Sequence, residues 1–500
     1  MIIIKLKIAK KRITWRVRGK KVFFLLLLYG FIFRPALSWA QADKRFNVLF
    51  FLVDDLRPDL GCYGDPIVHT PNIDAIADKG VVFQRAYCQQ AVCNPSRASM
   101  LTGLRPDEEG VTNLQVHFRE KVPGAVTLPQ AFKNNGYTTT GIGKVFHTEK
   151  STLDPVSWTT SLTDFGKGNY VLPQNMGQKG KRAAAERADV ADTAYVDGVI
   201  AENAVRFLKQ VKPAGGPFFL AVGFRKPHAP YCAPEKYWGL YQREQFALKQ
   251  RQRPVSSPPI AFHNNEEIRG YNDIPDSGLI ADDKQLELIH GYYACISYVD
   301  AQIGKVLKTL KEQGLTENTI IVLWGDHGYH LGEQGSWCKS TNFELDARVP
   351  LIIAAPGQKE NGRQLSAIVE TIDIYPTLLD LCNLQPATRL SGSSLKPLLN
   401  GNEAQWSNRA FSQFVRPYQS VNIKHPPTHM GYSVRVDQWR CTYWYDLHTN
   451  NIVAKELYRL DGNRVIETEN ISGKREARET EAKLAAWIDT YRAGKYRKGP

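Results

Sequence analysis

Residues 47–53, Asn-Val-Leu-Phe-Phe-Leu-Val, form an apolar run that ends directly on two acids, Asp54 and Asp55. A run of this length without alternating polar residues is typical of a central strand buried on both faces, as in a parallel sheet. The same arrangement recurs at 319–324, Thr-Ile-Ile-Val-Leu-Trp, which leads into Asp326 and His327. Both segments predict buried strands whose ends carry polar side chains.

Strands and helices alternate along most of the chain. Further buried-strand candidates are 218–224 and 350–354, and helical patterns cover 72–79, 126–135, 192–210, 283–313 and 371–382. This alternation predicts an α/β domain with a large, mostly parallel sheet flanked by helices. Because ligands bind beyond the carboxyl ends of strands in such sheets, the polar residues after three of the apolar runs predict a functional site there.

Two long segments, 150–190 and 231–282, lack periodicity and are rich in Gly, Pro, Asn and charged residues. They predict surface insertions that wall a substrate cleft. Their aromatic side chains would either stack on sugars or pack inside the protein, and both alternatives stay open. These aromatic residues are Trp158, Tyr170, Tyr231, Tyr237 and Trp238.

The pattern changes after about residue 395. Short alternating segments at 431–436, 439–445 and 456–460 predict a small antiparallel sheet, and a charged helix is expected at 474–492. We therefore predict a catalytic domain at 43–395 and a C-terminal subdomain at 396–500.

Residues 1–42 predict a cleaved signal peptide. Ten Lys and Arg and no acid accompany the apolar run 22–33, and small residues follow at 38–42. The run is shorter than the roughly 20 residues that span a bilayer. An uncleaved amphipathic anchor is the alternative. The first cysteine is Cys62, so no lipid-attachment cysteine lies near the cleavage region. We expect a bacterial periplasmic or secreted protein without a stable membrane anchor.

The net charge of +14 is concentrated in this leader, because removing residues 1–42 leaves 54 basic against 50 acidic residues. The remainder is nearly balanced, which argues against a nucleic-acid partner. Eight cysteines are scattered along the chain with neither a CxxC pair nor a zinc spacing.

The acids at the strand ends predict a cation site. Asp54 and Asp55 alone would be as consistent with one helix cap and one solvated acid as with a pair of metal ligands. Adjacent carboxylates repel unless a cation lies between them, and Asp326 with His327 adds a third carboxylate and an imidazole. Oxygen-rich ligands without clustered thiolates favour calcium or magnesium, with manganese possible and zinc disfavoured.

The segment Cys93-Asn94-Pro95-Ser96-Arg97, continued by Leu101-Thr102-Gly103, resembles the C-x-P-S-R…L-x-T-G signature of type I sulfatases. The resemblance implies an alkaline phosphatase-like fold and conversion of Cys93 to formylglycine (3-oxoalanine). The partner that performs this conversion would be a formylglycine-generating enzyme or an anaerobic sulfatase-maturating enzyme. Asn94 departs from the small residue that many relatives carry, whereas Pro95 and Arg97 are intact.

Flanking elements are similar to those of the iduronate-2-sulfatase-like branch. They are Gly143–His147, Lys226–Pro230, and Gly325–Glu333 with its continuation to Lys339. The resemblance implies a nucleophile made from Cys93, a Ca²⁺ site with Mg²⁺ as the less favoured ion, and a set of cationic residues around the sulfate. The implied metal ligands are Asp54, Asp55, Cys93, Asp326 and His327.

The resemblance also implies roles for the other site residues. Arg97 would hold the hydrated nucleophile, and Lys144 and Lys339 would neutralise sulfate oxygens. His147 would accept the proton that releases sulfate. His228 would bind sulfate and protonate the leaving alcohol, a role for which Lys339 competes.

These residues predict a secreted hydrolase of sulfate esters on a sulfated polysaccharide or its oligosaccharides. Ulvan, carrageenan and glycosaminoglycans are the candidate substrates. One alternative is a phosphodiesterase or phosphonate monoester hydrolase, which shares the fold and, in some members, the formylglycine. The other is an inactive carbohydrate-binding homologue.

Overall fold

The computed structural model describes residues 45–494 except for 149, 164, 167, 176–181, 213–214, 359–360 and 461–465. The predicted signal peptide at 1–42 lies outside the described residues. No helix among those described is long and apolar enough to cross a membrane.

The strands in chain order are β1 (Asn47–Val53), β2 (Val81–Tyr87), β3 (Thr138–Gly143), β4 (Thr160–Leu162), β5 (Ala185–Ala188), β6 (Phe218–Phe224), β7 (Tyr231–Pro234), β8 (Thr319–Gly325), β9 (His330–Leu331), β10 (Trp337–Cys338), β11 (Arg348–Val349), β12 (Leu351–Ala354), β13 (Arg363–Glu370), β14 (Arg409–Arg416), β15 (His429–Val436), β16 (Trp439–Asp446) and β17 (Ile452–Arg459).

The α-helices in chain order are α1 (Pro71–Ala77), α2 (Cys93–Thr102), α3 (Pro106–Glu109), α4 (Phe118–Lys121), α5 (Leu128–Asn134), α6 (Val196–Gln210), α7 (Glu235–Trp238), α8 (Asp282–Glu312), α9 (Glu344–Ala347), α10 (Ile374–Leu381), α11 (Lys396–Leu399) and α12 (Arg478–Arg492). The five predicted helical segments correspond to α1, α5, α6, α8 and α10.

The main sheet has the strand order β11-β2-β12-β8-β1-β6-β3-β4, with β13 paired to β2. β1 lies in its centre and is parallel to both β6 and β8. β3, β4 and β13 also pair in parallel, whereas β12 and β11 run antiparallel to their neighbours. The predicted α/β class with a large, mostly parallel sheet is confirmed.

The apolar side chains of β1 belong to two hydrophobic cores, one on each face of the sheet. Successive strand side chains point to opposite faces. Leu49, Phe51 and Val53 pack with α1, α6 and α8 on one face. Phe50 and Leu52 pack with α2, α5 and α10 on the other. Burying each such side chain stabilises the fold by about 1.5–3 kcal/mol. Because both faces of β1 are buried, apolar residues are favoured at every position of the strand.

The C-terminal sheet is antiparallel and has the order β14-β15-β16-β17, with α12 packed against it. The sequence predicted three of its strands and the helix but missed β14. Seven of the eight β14 residues, all except Arg409, are buried. Its sequence, Arg-Ala-Phe-Ser-Gln-Phe-Val-Arg, has apolar and polar residues in pairs, so it lacks the alternation by which the other three were recognised.

The two insertions contain only short elements, including the parallel pair β5–β7. The five aromatic residues that the sequence analysis named are buried, with exposed fractions between 0% and 8%. Tyr170, Tyr231, Tyr237 and Trp238 fill the core beside α8, and Trp158 joins the opposite core. These five residues therefore belong to the packed cores, although Trp158 and Trp238 also line open pockets.

Candidate active site

The carboxyl ends of β1 and β8 bring the predicted acids together. Val53 lies opposite Gly325 in the parallel register, so Asp54–Asp55 and Asp326–His327 leave the sheet side by side. Asp55 has a φ of 59°, a left-handed conformation that turns the chain sharply after the strand. Its backbone N–H donates to Asp326 Oδ1 at 3.0 Å, which links the two strand ends.

Cys93 is the first residue of α2, directly beside these acids. Val92 precedes it in an extended conformation, and Gly103 with a φ of 68° ends the helix. Pro95 fits the first turn, where a backbone N–H has no intrahelical acceptor. Cys93 Sγ lies 3.3 Å from His327 Nε2. Burial and the nearby Asp54 raise the thiol pKa well above its usual range, so the unmodified side chain is a protonated thiol.

Arg97, one helical turn after Cys93, is fully buried. Its Nε donates to Asp326 Oδ2 at 2.8 Å and its Nη2 to Asp54 Oδ1 at 2.9 Å. Nη1 donates to the carbonyls of Lys144 and Val145. The guanidinium therefore fixes two carboxylates from different strands in one orientation.

Two lysines approach from opposite sides. Lys144, directly after β3, places Nζ 2.6 Å from Asp54 Oδ2. Lys339, directly after β10, places Nζ 3.0 Å from Asp55 Oδ2. Burial alone would raise the pKa of Asp54, but Lys144 and Arg97 hold it well below its usual range. Burial raises the pKa of Asp55, and Lys339 only partly offsets this.

The three predicted histidines have different environments. His327 Nδ1 lies 3.0 Å from the Gly328 carbonyl, so donation there leaves the Nε2 lone pair directed at the cluster. His228 lies with Nε2 3.9 Å from Asp55 Oδ2. His147 has a buried Nδ1 without a hydrogen-bond partner. Burial and Lys144 lower the His147 pKa to about 3, so this imidazole is neutral at pH 7.

Glu267 belongs to the site although the sequence analysis did not identify it. Its Oε1 lies 2.6 Å from Lys339 Nζ and 3.4 Å from His228 Nε2. The residue lies in the insertion 231–282, where no periodicity or motif distinguishes one acid from another. Only the folding of this insertion over the strand ends places the carboxylate there.

The clustered side chains fit a divalent cation. Asp54, Asp55, Cys93 and His228 offer ligand atoms within 4.8 Å of one another, and so do Asp54, Cys93, Asp326 and His327. Each of the five predicted ligands belongs to at least one of these groups. Three buried carboxylates with an unprotonated imidazole nitrogen match the oxygen-rich preference of Ca²⁺ and Mg²⁺.

A cleft of about 210 Å³ opens beside this cluster. Asp54, Lys144, His147 and His228 line its inner part. A substrate group that enters it meets the cations and imidazoles next to Cys93. This combination of a protected nucleophile position, a cation site and an open cleft is suited to hydrolysis of an anionic ester.

Comparison with known proteins agrees with this geometry. The sulfatase family model matches residues 46–384, and a model of the C-terminal region of N-sulphoglucosamine sulphohydrolase matches 332–494. Iduronate 2-sulfatase of Mus musculus is 34% identical over 522 aligned residues, which cover 89% of this chain and 94% of that protein.

Solved structures share the fold. A protein in complex with its substrate D-glucosamine-2-N,6-O-disulfate superimposes with a TM-score of 0.72 at 23% identity, covering 90% of this chain and 98% of the other. The phosphonate monoester hydrolase of Agrobacterium radiobacter also gives 0.72, at 22% identity, with coverages of 90% and 96%. At these identities the likeness establishes the fold, which is the predicted alkaline phosphatase-like one.

The family itself is established by sequence. The matching sulfatase model spans more than half of the chain, and the identity to iduronate 2-sulfatase extends over nearly the whole length of both proteins. The chain therefore belongs to the sulfatase family of sulfuric ester hydrolases, in its iduronate-2-sulfatase-like branch.

Proposed function

We propose that this sulfatase hydrolyses sulfate esters of a sulfated polysaccharide or its oligosaccharides through a formylglycine made from Cys93. The observation that carries the proposal is the position of Cys93, 3.3 Å from His327 and within a cluster of carboxylates, lysines and histidines. The high thiol pKa disfavours a thiolate nucleophile, which is consistent with a requirement for modification. As a hydrated aldehyde, the modified residue would attack sulfur with one hydroxyl while the S–O bond to the alcohol breaks and the alcohol leaves. The second hydroxyl would then lose its proton and expel sulfate, which re-forms the aldehyde.

The proposed cation is Ca²⁺, with Mg²⁺ less favoured, held by Asp54, Asp55, Cys93, Asp326 and His327. When bound, it would acidify the attacking hydroxyl and polarise a sulfate oxygen. Arg97 supports this site by orienting Asp54 and Asp326 through its hydrogen bonds. We propose this positioning role because its donors reach the carboxylates.

The remaining residues would bind the sulfate or transfer protons to and from the reacting groups. Lys144 and Lys339 would neutralise charge on the sulfate oxygens as it develops. His147, neutral at pH 7, would accept the proton that releases sulfate. His228 would bind sulfate and donate to the leaving alcohol, with Lys339 as the competing acid.

The substrate class is proposed from the relatives. One relative is an iduronate 2-sulfatase, and one structural neighbour was solved with a sulfated glucosamine. A sulfated glycan such as a glycosaminoglycan, ulvan or carrageenan would fit the open cleft. We also propose that residues 1–42 direct export to the periplasm or the medium, in agreement with the cationic leader and apolar run of the sequence.

Co-expression with a formylglycine-generating enzyme or an anaerobic sulfatase-maturating enzyme provides the test. Mass spectrometry of the peptide that contains Cys93 should detect an aldehyde, and hydrolysis of an aryl sulfate should exceed that of the matched aryl phosphonate. Faster cleavage of the phosphonate would support the phosphonate hydrolase alternative. A fully modified protein that cleaves no sulfate ester would contradict the proposal.

A further inference from the structure

The turn after β1 places a strained residue within the proposed cation site. Asp55 has a φ of 59°, in the left-handed region that residues other than glycine seldom adopt. Its carboxylate belongs to one of the two groups of potential metal ligands. The direction of that side chain depends on the two peptide planes on either side of the Cα atom. Contacts that fix both planes therefore fix where the carboxylate points.

Both peptide planes beside Asp55 are held by hydrogen bonds. The backbone N–H of Asp55 donates to Asp326 Oδ1 at 3.0 Å. On the other side, the hydroxyl of Tyr292 donates to the Asp55 carbonyl at 2.6 Å and accepts the backbone N–H of Arg57 at 3.0 Å. Burial raises the pKa of Tyr292 well above its usual range, so the hydroxyl stays protonated and can donate. One hydroxyl therefore bridges the two ends of the turn 55–57.

Tyr292 is itself fixed in place. It lies in the long helix α8 and is fully buried. Its ring stacks on Tyr329 with the centroids 5.3 Å apart, and Tyr231 packs against it edge-on at 5.9 Å. Tyr329 lies two residues after His327, so the same ring also contacts the turn that follows β8. Because the ring is packed between two others in a dense interior, the hydroxyl has little freedom to move.

We propose that Tyr292 is a positioning residue for the cation site. Its hydroxyl holds the strained turn in the conformation that directs the Asp55 carboxylate towards the bound ion. The hydroxyl contacts the backbone of the turn, so its effect on the cation passes through Asp55. This inference rests on the proposed function, because it requires a cation among the carboxylates.

Tyr298 provides a matched control in the same helix. It is also fully buried, and its hydroxyl accepts the backbone N–H of Gly198 at 2.6 Å and donates to the carbonyl of Asp192 at 2.8 Å. These partners lie in α6 or just before it, and neither belongs to the turns that carry the potential ligands. Removing either hydroxyl should therefore destabilise the fold by a similar amount, whereas only Tyr292 contacts the turn of Asp55.

Calcium binding in the absence of substrate tests the proposal. Isothermal titration calorimetry with Ca²⁺ compares the wild type, Tyr292→Phe and Tyr298→Phe after each has been stripped with a chelator. Tyr292→Phe keeps the ring but leaves the Asp55 carbonyl and the Arg57 N–H without their partner. We expect its Kd for Ca²⁺ to rise about tenfold to a hundredfold, as is typical when a group that orients a metal ligand is lost. Tyr298→Phe should keep the wild-type Kd, and without Ca²⁺ both variants should show a similar fall in Tm.

The dependence of activity on Ca²⁺ provides a second readout. Excess Ca²⁺ should restore most of the aryl sulfate hydrolysis that Tyr292→Phe loses at low Ca²⁺, because this variant has lost affinity for the ion and not a reacting group. Tyr298→Phe should show the wild-type dependence of kcat on the Ca²⁺ concentration.

Three results would overturn the positioning role. One is a folded Tyr292→Phe variant with the wild-type Kd. Another is an equal rise in Kd in both variants, which would reflect a general loosening of α8. The third is a Tyr292→Phe variant that does not fold, since its hydroxyl would then be needed by the whole fold. A wild-type protein that binds no Ca²⁺ contradicts the proposed cation itself, and the positioning role with it.

Discussion

Buried charges gather in two regions of this protein, around Cys93 and where the main sheet meets the C-terminal sheet. In the first region, Asp54, Asp55 and Asp326 face two lysines, an arginine, two imidazoles and a thiol. In the second, Glu344 accepts hydrogen bonds from Tyr87 at 2.7 Å and from Arg440 at 2.6 Å. Both regions are almost inaccessible to solvent.

The second region is a structural junction. Glu344 of α9 also contacts Arg435 of β15 at 3.1 Å, and Arg440 of β16 contacts Glu467 at 3.3 Å. Burial would raise the pKa of Glu344, but Arg435 and Arg440 lower it to about 2. The carboxylate therefore stays ionised and joins elements of both sheets.

The difference shows that buried charge alone does not indicate a catalytic centre. Guanidinium groups match the Glu344 carboxylate with short, directional hydrogen bonds. Around Cys93 the carboxylates come from adjacent strand ends, an imidazole nitrogen and a thiol join them, and a cleft leads to the cluster. The types of ligand atom and their clustering distinguish the two regions.

The largest effect is expected from Cys93→Ala, which removes the nucleophile. We expect hydrolysis of an aryl sulfate to fall by roughly 10⁴-fold or more, with little change in thermal stability. Cys295→Ala provides a control, because Cys295 is equally buried in α8 but belongs to neither group of potential ligands. Substantial activity in Cys93→Ala would contradict the nucleophile assignment.

Removal of the cation should have the next largest effect. Chelation at pH 7 should lower kcat by about 10³-fold, since a bound metal contributes several kcal/mol to transition-state stabilisation. It should also lower the Tm, because three buried carboxylates lose their counter-charge. Activity assays after adding back Ca²⁺ or Mg²⁺ distinguish the two ions, and full activity in chelator would rule out a catalytic metal.

His147→Ala should have an intermediate effect. Loss of a proton acceptor typically lowers the reaction rate about 10²-fold or more. We therefore expect kcat to fall by this factor, with a smaller change in KM. The exposed His448→Ala is the control for removing an imidazole and should behave like wild type. Unchanged kcat in His147→Ala would exclude a role in the rate-limiting proton transfer.

Glu344→Gln should have the smallest effect on activity and would sharpen the contrast between the two regions. It leaves two buried arginines undercompensated, so the free energy of unfolding at pH 7 should fall by about 3–5 kcal/mol. We expect kcat to stay within about threefold of wild type. Denaturant unfolding measures the free energy of unfolding, and steady-state kinetics measure kcat. A large loss of kcat with unchanged stability would contradict the structural role of Glu344.

The stability difference between wild type and Glu344→Gln should decrease as the pH is lowered. The pKa of Glu344 is depressed from 4.5 to about 2 in the folded protein. Its ionised form therefore stabilises the fold fully above pH 4.5, and this contribution is lost as the pH falls towards 2. The difference in Tm between wild type and Glu344→Gln should shrink across this interval.

Much of the fold was predictable because it follows from local patterns. The apolar runs of β1 and β8, the amphipathic α6 and α8, and the alternating β15 and β16 each carry their own periodicity. β14 was missed because its apolar and polar residues come in pairs and do not alternate. The aromatic residues of the insertions were ambiguous, since the same side chains suit a sugar or a core.

The site was predictable where chemistry is concentrated in short segments. Cys93 with Arg97, and Asp54 with Asp55, are recognisable from adjacent residues. Glu267 was not, because its importance depends on its contact with Lys339, which is distant in the chain.

The sequence by itself determined the class of fold, the position of the proposed nucleophile and the acids at the strand ends. Each of these is encoded by residues close together in the chain, where backbone geometry limits their arrangement. The tertiary structure decided that Arg97 bridges Asp54 and Asp326, and that Glu267 contacts Lys339. Those outcomes depend on strand register and on the burial of charges, which arise only when distant segments pack together.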